Sequence, residues 1–205
     1  IIHPIIVNLE PDGTYVAIEG NTRLYIYKEF YTETGDSIWS RIPAMVYHGL
    51  TPLEKHEIRL QSHLVGPREW DPYSKAKYLW ELSTLEHMPM DQLVDLCGGR
   101  KTEIRKSIDT YVYMEDHYRT YVDKHGYDFE PRSFSKFQEF LTPVVRRSIT
   151  RQGFDESKFA EWVAEGNVDK ALGVRELPDI MANPEARTVF LKKNLSEAEK
   201  VVNAA

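Results

Sequence analysis

The chain has 205 residues, of which 41% are hydrophobic and 28% are charged, and its formal net charge at pH 7 is −6. This composition is typical of a globular protein with a buried core and excludes collagen-like, low-complexity and mainly disordered chains. No uncharged apolar run approaches the roughly 20 residues that a membrane-spanning helix needs. The acidic balance also excludes a protein that coats nucleic acid over its whole surface, so any DNA contact must come from a local basic patch.

The single cysteine, Cys97, limits both cross-linking and metal chemistry. It cannot form an internal disulfide, which is typical of proteins in a reducing compartment, and we therefore expect a cytoplasmic location. A zinc site built from several thiolates is excluded, and the histidines do not follow a spacing typical of zinc ligands. We predict no metal site.

The first elements in chain order are two short strands. Residues 5–7 and 15–18 are apolar runs, and the turn residues Glu10-Pro11-Asp12-Gly13 lie between them. Apolar runs separated by a turn signal of this kind predict a β-hairpin.

A helix is expected directly after the hairpin. Gly20 permits a sharp turn out of the second strand, and Asn21 or Thr22 is expected to cap the new helix. The apolar spacing over residues 24–30 favours a helix over a strand. Residues 32–41 are polar and contain a glycine, so we predict a loop there.

The next elements are a third strand and a second helix. Residues 42–47 are predicted to form a strand, and Pro43 is expected at the start of the strand or at a sheet edge. The run Thr51-Pro52-Leu53-Glu54 is typical of a helix start, with a capping threonine and a glutamate three residues later. We expect Gly66-Pro67 to end this helix.

From Asp71 onward the pattern is almost entirely helical. Helices are expected to start at Asp71-Pro72 and at Pro89-Met90, and a break is expected over residues 126–132. The composition changes most clearly near residue 70. We therefore predict three domains, which cover residues 1–70, 71–125 and 126–205.

Residues 89–112 form the first pattern that points to a function. A short helix, the pair Gly98-Gly99 and a second helix predict a helix-turn-helix, whose second helix meets DNA through its first turns. The apolar positions expected to join the two helices are Leu93, Val94, Leu96, Ile104 and Ile108. The predicted DNA contacts are Arg100, Lys101, Thr102, Arg105 and Lys106. An ordinary helical hairpin with solvated charges remains an alternative.

Basic and aromatic residues recur in the C-terminal block. Lys136, Arg146, Arg147 and Arg151 are a candidate basic face, either for DNA phosphates or simply for water. The phenylalanines at 134, 137 and 140 have helical spacing and are expected in the core or at a dimer surface.

The order of these elements resembles the ParB family over residues 1–118. The resemblance rests on the Pro-Ile-Ile-Val hairpin strand, on the Gly-x-x-Arg sequence that opens a helix, and on the strand, helix and helix-turn-helix that follow. More broadly, the first block resembles the ParB/sulfiredoxin superfamily. The resemblance implies an α+β protein, with a small α/β domain followed by a mainly helical region.

The family also implies a nucleotide site. Its Gly-x-x-Arg box holds phosphates, and here the box reads Gly20-Asn21-Thr22-Arg23. Backbone N–H groups at a helix start beside a cation favour an anion. The asparagine and arginine of the family's second box are not matched, and His63 and Arg68 are the candidates to replace them. The implied ligand is CTP or ATP with magnesium. A preceding segment of the family, which carries another part of the pocket, is expected before residue 1.

These observations predict a ParB-like protein that binds double-stranded DNA. A homodimer or a protein partner is also expected. Two alternatives stay open: a nucleotide triphosphatase or nuclease, and an inactive protein-interaction module. A sulfiredoxin-like reductase is excluded because Cys97 lies in the helix-turn-helix and not beside the Gly-x-x-Arg loop.

Overall fold

The computed structural model of the chain describes residues 3–64 and 70–204, with the side chains of residues 63 and 64 excepted. Contacts divide the chain into two units that meet in sequence between Trp70 and Asp71. The first unit contains a small sheet with helices, and the second is helical. The predicted α+β class is confirmed.

The first unit is built on a three-stranded sheet in the order β2-β1-β3. Strands β1 and β2 pair antiparallel and form the predicted hairpin, whereas β3 lies parallel to β1 on its other side. In chain order the elements are β1 (Ile5–Leu9), β2 (Tyr15–Glu19), α1 (Asn21–Thr34), β3 (Ala44–His48) and α2 (Pro52–Leu64).

Gly20 makes the turn from β2 into α1. Its φ is 92°, and an added Cβ would lie 2.5 Å from Cγ2 of Ile5, so only glycine fits without a shift of the strand. The predicted cap at Asn21 or Thr22 is wrong, because Gly20 itself occupies the cap position and no side chain caps the helix.

Helix α1 also runs further than the sequence predicted. It continues to Thr34 through part of the expected loop, and it ends at Gly35, whose φ is 65°. The hydroxyls of Thr32 and Thr34 donate to backbone carbonyls one turn earlier, at 2.8 and 2.6 Å, which satisfies these polar side chains within the helix.

The start of α2 matches its sequence signal. The Thr51 N–H donates to Oε2 of Glu54 at 2.8 Å, and the Glu54 N–H donates to the Thr51 hydroxyl oxygen at 3.3 Å. This reciprocal pair is the predicted capping box. The predicted end of the helix at Gly66-Pro67 lies outside the described residues.

The core of the first unit is small. Ile5, Ile18 and Leu60 are almost fully buried, whereas neither α1 nor β3 contains a buried residue in the part of the chain described. Asn8 is a buried polar residue, and its side chain is satisfied by Glu10 and by the backbone N–H of Leu50.

The second unit is a set of packed helices. The predicted helix starts at Asp71-Pro72 and Pro89-Met90 and the break after Gly126 are confirmed. Its described helices are α3 (Pro72–Thr84), α4 (Met90–Cys97), α5 (Lys101–Tyr113), α6 (Thr120–His125), α7 (Phe134–Phe140), α8 (Pro143–Arg151), α9 (Lys158–Ala164), α10 (Leu177–Ala182), α11 (Pro184–Lys192) and α12 (Leu195–Asn203).

One aromatic core runs through the second unit, from Tyr73 to Ala198. Phe137 and Phe140 are fully buried as predicted, and Phe140 stacks on Phe159 with ring centroids 4.2 Å apart. The helices on both sides of the 126–132 break contribute to this core. The predicted domain division at this break stays a prediction.

A π-helical segment, Met114–Arg119, joins α5 to α6. It carries Glu115 and Arg119, whose side chains pair at 2.7 Å. The Tyr73 hydroxyl donates to Glu115 at 2.5 Å and accepts from Arg119 at 2.8 Å, so this network ties α3 to the π-helical segment. Among the described helices, none is both long and apolar enough to cross a membrane.

Candidate nucleic-acid interface

The two helices α4 and α5 are joined by a tight glycine turn. Gly98 and Gly99 have φ values of 67° and 85°, in the left-handed region that other residues rarely adopt. The Gly98 N–H donates to the Val94 carbonyl at 2.9 Å and closes α4. The chain then reverses within these residues and starts α5 at Lys101.

Apolar side chains hold the pair of helices against the rest of the unit. Leu93 of α4 and Ile104 of α5 are buried, and the other three predicted packing residues, Val94, Leu96 and Ile108, are half-buried. The rings of Trp80 and Tyr111 lie 5.5 Å apart and join α3 to α5. The predicted packing positions therefore face inward, and the basic residues between them face outward.

Glu103 stabilises the start of α5. Its carboxylate turns back and accepts from the Arg100 N–H at 3.4 Å, while the Arg100 carbonyl accepts from the N–H groups of Glu103 and Ile104. A carboxylate near a helix N-terminus also interacts favourably with the helix dipole. This acidic side chain therefore has a local structural role.

Four of the five predicted DNA contacts lie exposed at the start of α5: Arg100, Lys101, Thr102 and Arg105. Within the described residues, the guanidinium groups of Arg100 and Arg105 have no hydrogen-bond or ion-pair partner. Lys101 and Arg105 are four residues apart and share one side of the helix. The start of α5 thus offers two unpaired guanidinium groups and an exposed hydroxyl, a combination suited to phosphate oxygens and base edges.

The other two predicted cations differ from the two arginines in their surroundings. Lys101 pairs with Asp91 of α4 at 3.2 Å, and both side chains are at least half exposed, so the pair is weak and easily exchanged. Lys106 is half-buried, and its charge adds to the hydrogen bonds from Arg175 that lower the pKa of Glu139. Lys106 is therefore less accessible than the four exposed residues.

Lys75 of α3 is a cation of this region that the sequence analysis missed. Burial raises the pKa of the Cys97 thiol, and the nearby charge of Lys75 partly opposes that rise. The charge of Lys75 therefore acts on Cys97, the last residue of α4. The two residues are far apart in sequence, so no local pattern signals their proximity.

We expect Cys97 to alkylate slowly. A raised thiol pKa leaves less thiolate at any pH below it, and the thiolate is the reactive form. Iodoacetamide labelling of the folded chain should therefore be slower than labelling of the urea-unfolded chain at pH 8, and its rate should rise at higher pH in the folded chain. Equal rates at each pH would contradict a raised pKa of the Cys97 thiol.

The predicted phosphate loop, Gly20 to Arg23, is folded around its own arginine. The Arg23 guanidinium bonds Oε2 of Glu19 at 2.5 Å and the backbone carbonyl of His3 at 2.5 Å. Asn21 and Thr22 are exposed at the start of α1. Two nitrogens of the Arg23 guanidinium are thus engaged by protein acceptors, and phosphate binding at this loop stays a prediction.

The remaining residues predicted for the nucleotide site are not described. Arg68 and the side chain of His63 lie outside the described residues. In the part of the chain that is described, no group of three or more His, Cys, Asp or Glu side chains is placed to hold a metal ion. Binding of CTP or ATP with magnesium stays a prediction.

Arg23→Ala is expected to destabilise the first unit by about 1–2 kcal/mol, because hydrogen bonds to charged groups contribute roughly that much when partly exposed. The substitution removes the link between α1, Glu19 and the backbone before β1. Urea unfolding followed by circular dichroism measures the change, with the exposed Arg41→Ala as a matched control. Equal free energies of unfolding for the two variants would contradict a stabilising role of these Arg23 hydrogen bonds.

Comparison with solved structures finds a likeness to a ParB structure. No protein-family model and no curated protein matches the chain. The crystal structure of the C-terminally truncated chromosome-partitioning protein ParB from Caulobacter crescentus, complexed to the centromeric parS site, aligns over 80% of this chain and 82% of that chain. The identity is 16% and the TM-score is 0.40, and a likeness at this level carries no argument about function.

Proposed function

We propose that the chain is a ParB-like DNA-binding protein that places the start of α5 against double-stranded DNA. The observation that carries the proposal is the pair of exposed guanidinium groups, Arg100 and Arg105, beside Thr102 at the first turns of a helix. This helix follows a shorter helix and a glycine turn, the arrangement of a helix-turn-helix. The α4–α5 pair is the proposed helix-turn-helix.

The direction of the side chains supports this choice of surface. Leu93 and Ile104 anchor the two helices inward, so the first turns of α5 stand at the surface. Glu103 is engaged with the start of its own helix, and Asp91 is paired with Lys101, so two of the nearby carboxylates are at least partly neutralised. Arginine forms two parallel hydrogen bonds to guanine or to a phosphate, which gives these two residues the largest share of the proposed contact.

The acidic net charge limits how the protein binds. With a formal charge of −6, the molecule as a whole is repelled by DNA, and attraction must come from local basic surfaces such as the start of α5. We therefore expect weak affinity for DNA of arbitrary sequence and a measurable gain only when the correct bases are present.

The test is fluorescence anisotropy of a labelled mixed-sequence duplex titrated with the full chain at 50 and 200 mM salt. We expect binding at the lower salt that weakens at the higher salt, since each neutralised phosphate contributes about −0.9 to the slope of log affinity against log salt. Absence of binding at 50 mM salt, with duplexes from a randomised library as well, would refute the proposal.

The same titration with CTP or ATP and magnesium tests the phosphate loop separately. A change in DNA affinity that Arg23→Ala abolishes would support a nucleotide site that forms by rearrangement of Arg23. Unchanged affinity would reject the nucleotide site and leave DNA binding by α5 untouched. A homodimer, which is also proposed, is tested by sedimentation of the same samples.

A further inference from the structure

A groove of about 400 Å³ lies between α8 and α10 in the second unit. One wall is formed by Val144, Arg147, Ser148 and Arg151, whose spacings of three and four residues place them on one side of α8. Pro178 and Ala182 of α10 have the same spacing and form the facing wall, and the groove is therefore bounded by two helices.

The α8 wall is basic and uncompensated. Arg147 and Arg151 are exposed, and their guanidinium groups have no hydrogen-bond or ion-pair partner among the described residues. The neighbouring Arg146 differs, because it pairs with Glu156. None of the described residues that line the groove is acidic. Two free cations therefore face one groove in a chain whose formal charge is −6.

The α10 side of the groove is apolar, Val144 adds an apolar side chain on the α8 side, and the groove is preformed. Val144 is 59% exposed, Ala182 is exposed and Pro178 is half-buried. Arg187 of α11 donates to the Gln152 side chain and, at 3.0 Å, to the Met181 carbonyl. Because Gln152 and Met181 lie on opposite sides of the groove, Arg187 fixes the spacing of its walls.

We propose that this groove binds an acidic amphipathic peptide segment of a partner protein. Acidic side chains of such a segment would pair with Arg147 and Arg151, and its apolar side chains would cover Val144 and Ala182. A DNA backbone fits less well. Its phosphates would pair with the arginines, but the apolar side of the groove would then face hydrated, charged phosphate groups. Charge complementarity selects the acidic partner and the apolar wall selects a peptide.

The test is selection from a displayed library of random twelve-residue peptides on the immobilised full chain. Enriched peptides are expected to combine glutamate or aspartate with leucine-like side chains. A fluorescein-labelled enriched peptide should bind the double variant Arg147→Glu/Arg151→Glu at least about tenfold more weakly than the unmodified chain. Val144→Glu, which changes the apolar side of the groove, should weaken binding as well.

The matched control is Lys124→Glu/Lys192→Glu, which makes the same charge change at exposed positions outside the groove. It should leave peptide affinity unchanged. Failure to enrich acidic peptides, or equal affinity of the groove variant and the control, would overturn the proposal. A loss of duplex DNA binding in Arg147→Glu/Arg151→Glu, without a selected peptide, would assign the groove to DNA and overturn it too. Unchanged thermal unfolding midpoints confirm that the exposed substitutions leave the fold intact.

Discussion

The double substitution Arg100→Ala/Arg105→Ala is expected to weaken duplex DNA binding by at least about 30-fold at low salt. Each arginine that contacts a base edge or phosphate contributes about 1–3 kcal/mol, and these two guanidinium groups have no protein partner to hold them elsewhere. The variant should also bind with a shallower salt dependence, because fewer phosphates are neutralised. Anisotropy titrations at two salt concentrations measure both effects.

The control for this prediction is a double variant that loses the same two positive charges at another part of the surface. Arg41 and Arg132 are exposed and lie outside the α4–α5 pair, so Arg41→Ala/Arg132→Ala should bind DNA as the unmodified chain does. Lys106→Ala should have a smaller effect than either α5 arginine, since Lys106 is half-buried and both arginines are exposed. Equal affinities of the α5 variant and the control would exclude α5 as the DNA-binding helix.

Phe137→Ala is expected to destabilise the second unit by about 3–5 kcal/mol, the usual range for removing a buried phenylalanine ring. Phe137 is fully buried, and its ring lies 5.0 Å from that of Tyr118 and 5.6 Å from that of Phe159. These neighbours belong to different helices and cannot all move inward, so a cavity would remain. Urea unfolding gives the free energy of unfolding.

The control is a substitution at the surface of the same unit, which tests whether shortening any large apolar side chain lowers the free energy of unfolding. Leu172 is 72% exposed in the same unit, and Leu172→Ala should change the free energy of unfolding by less than about 0.5 kcal/mol. A loss of similar size in both variants would mean that Phe137 does not organise the core. The α4–α5 pair packs on the same unit, so Phe137→Ala should also lower DNA affinity near its unfolding midpoint.

Local sequence signals predicted much of the fold because they act through neighbouring residues. The capping pair Thr51 and Glu54, the proline after Asp71 and the glycine pair after α4 all specify their elements within a few residues. The helical spacing of the phenylalanines similarly predicted the core of α7. The predicted cap of α1 was wrong. Gly20 occupies the cap position, and a Cβ there would clash with the side chain of Ile5.

The candidate site was predicted less completely, because the partner of a charged side chain depends on which elements pack together in the tertiary structure. Sequence spacing placed Lys101 among the exposed cations of α5, but only the packing of α4 brings Asp91 to it. In the same way, Arg23 fits a phosphate-binding pattern, yet the fold brings the His3 carbonyl and Glu19 to its guanidinium. Residue type indicates which side chains can bind an anion, and the partners supplied by the fold decide which are free.

The π-helical segment between α5 and α6 has a consequence for how this chain can change in length. An α-helix turns by about 100° per residue, so one residue added to or removed from α5 would rotate every later side chain away from its contact. A π-helical turn takes up one extra residue without that rotation. Removing the exposed Asp116 would thus return a continuous α-helix with Tyr113 and Tyr118 still toward the core. One residue can therefore be lost at this point of the helix without rotating the side chains that follow it away from the core.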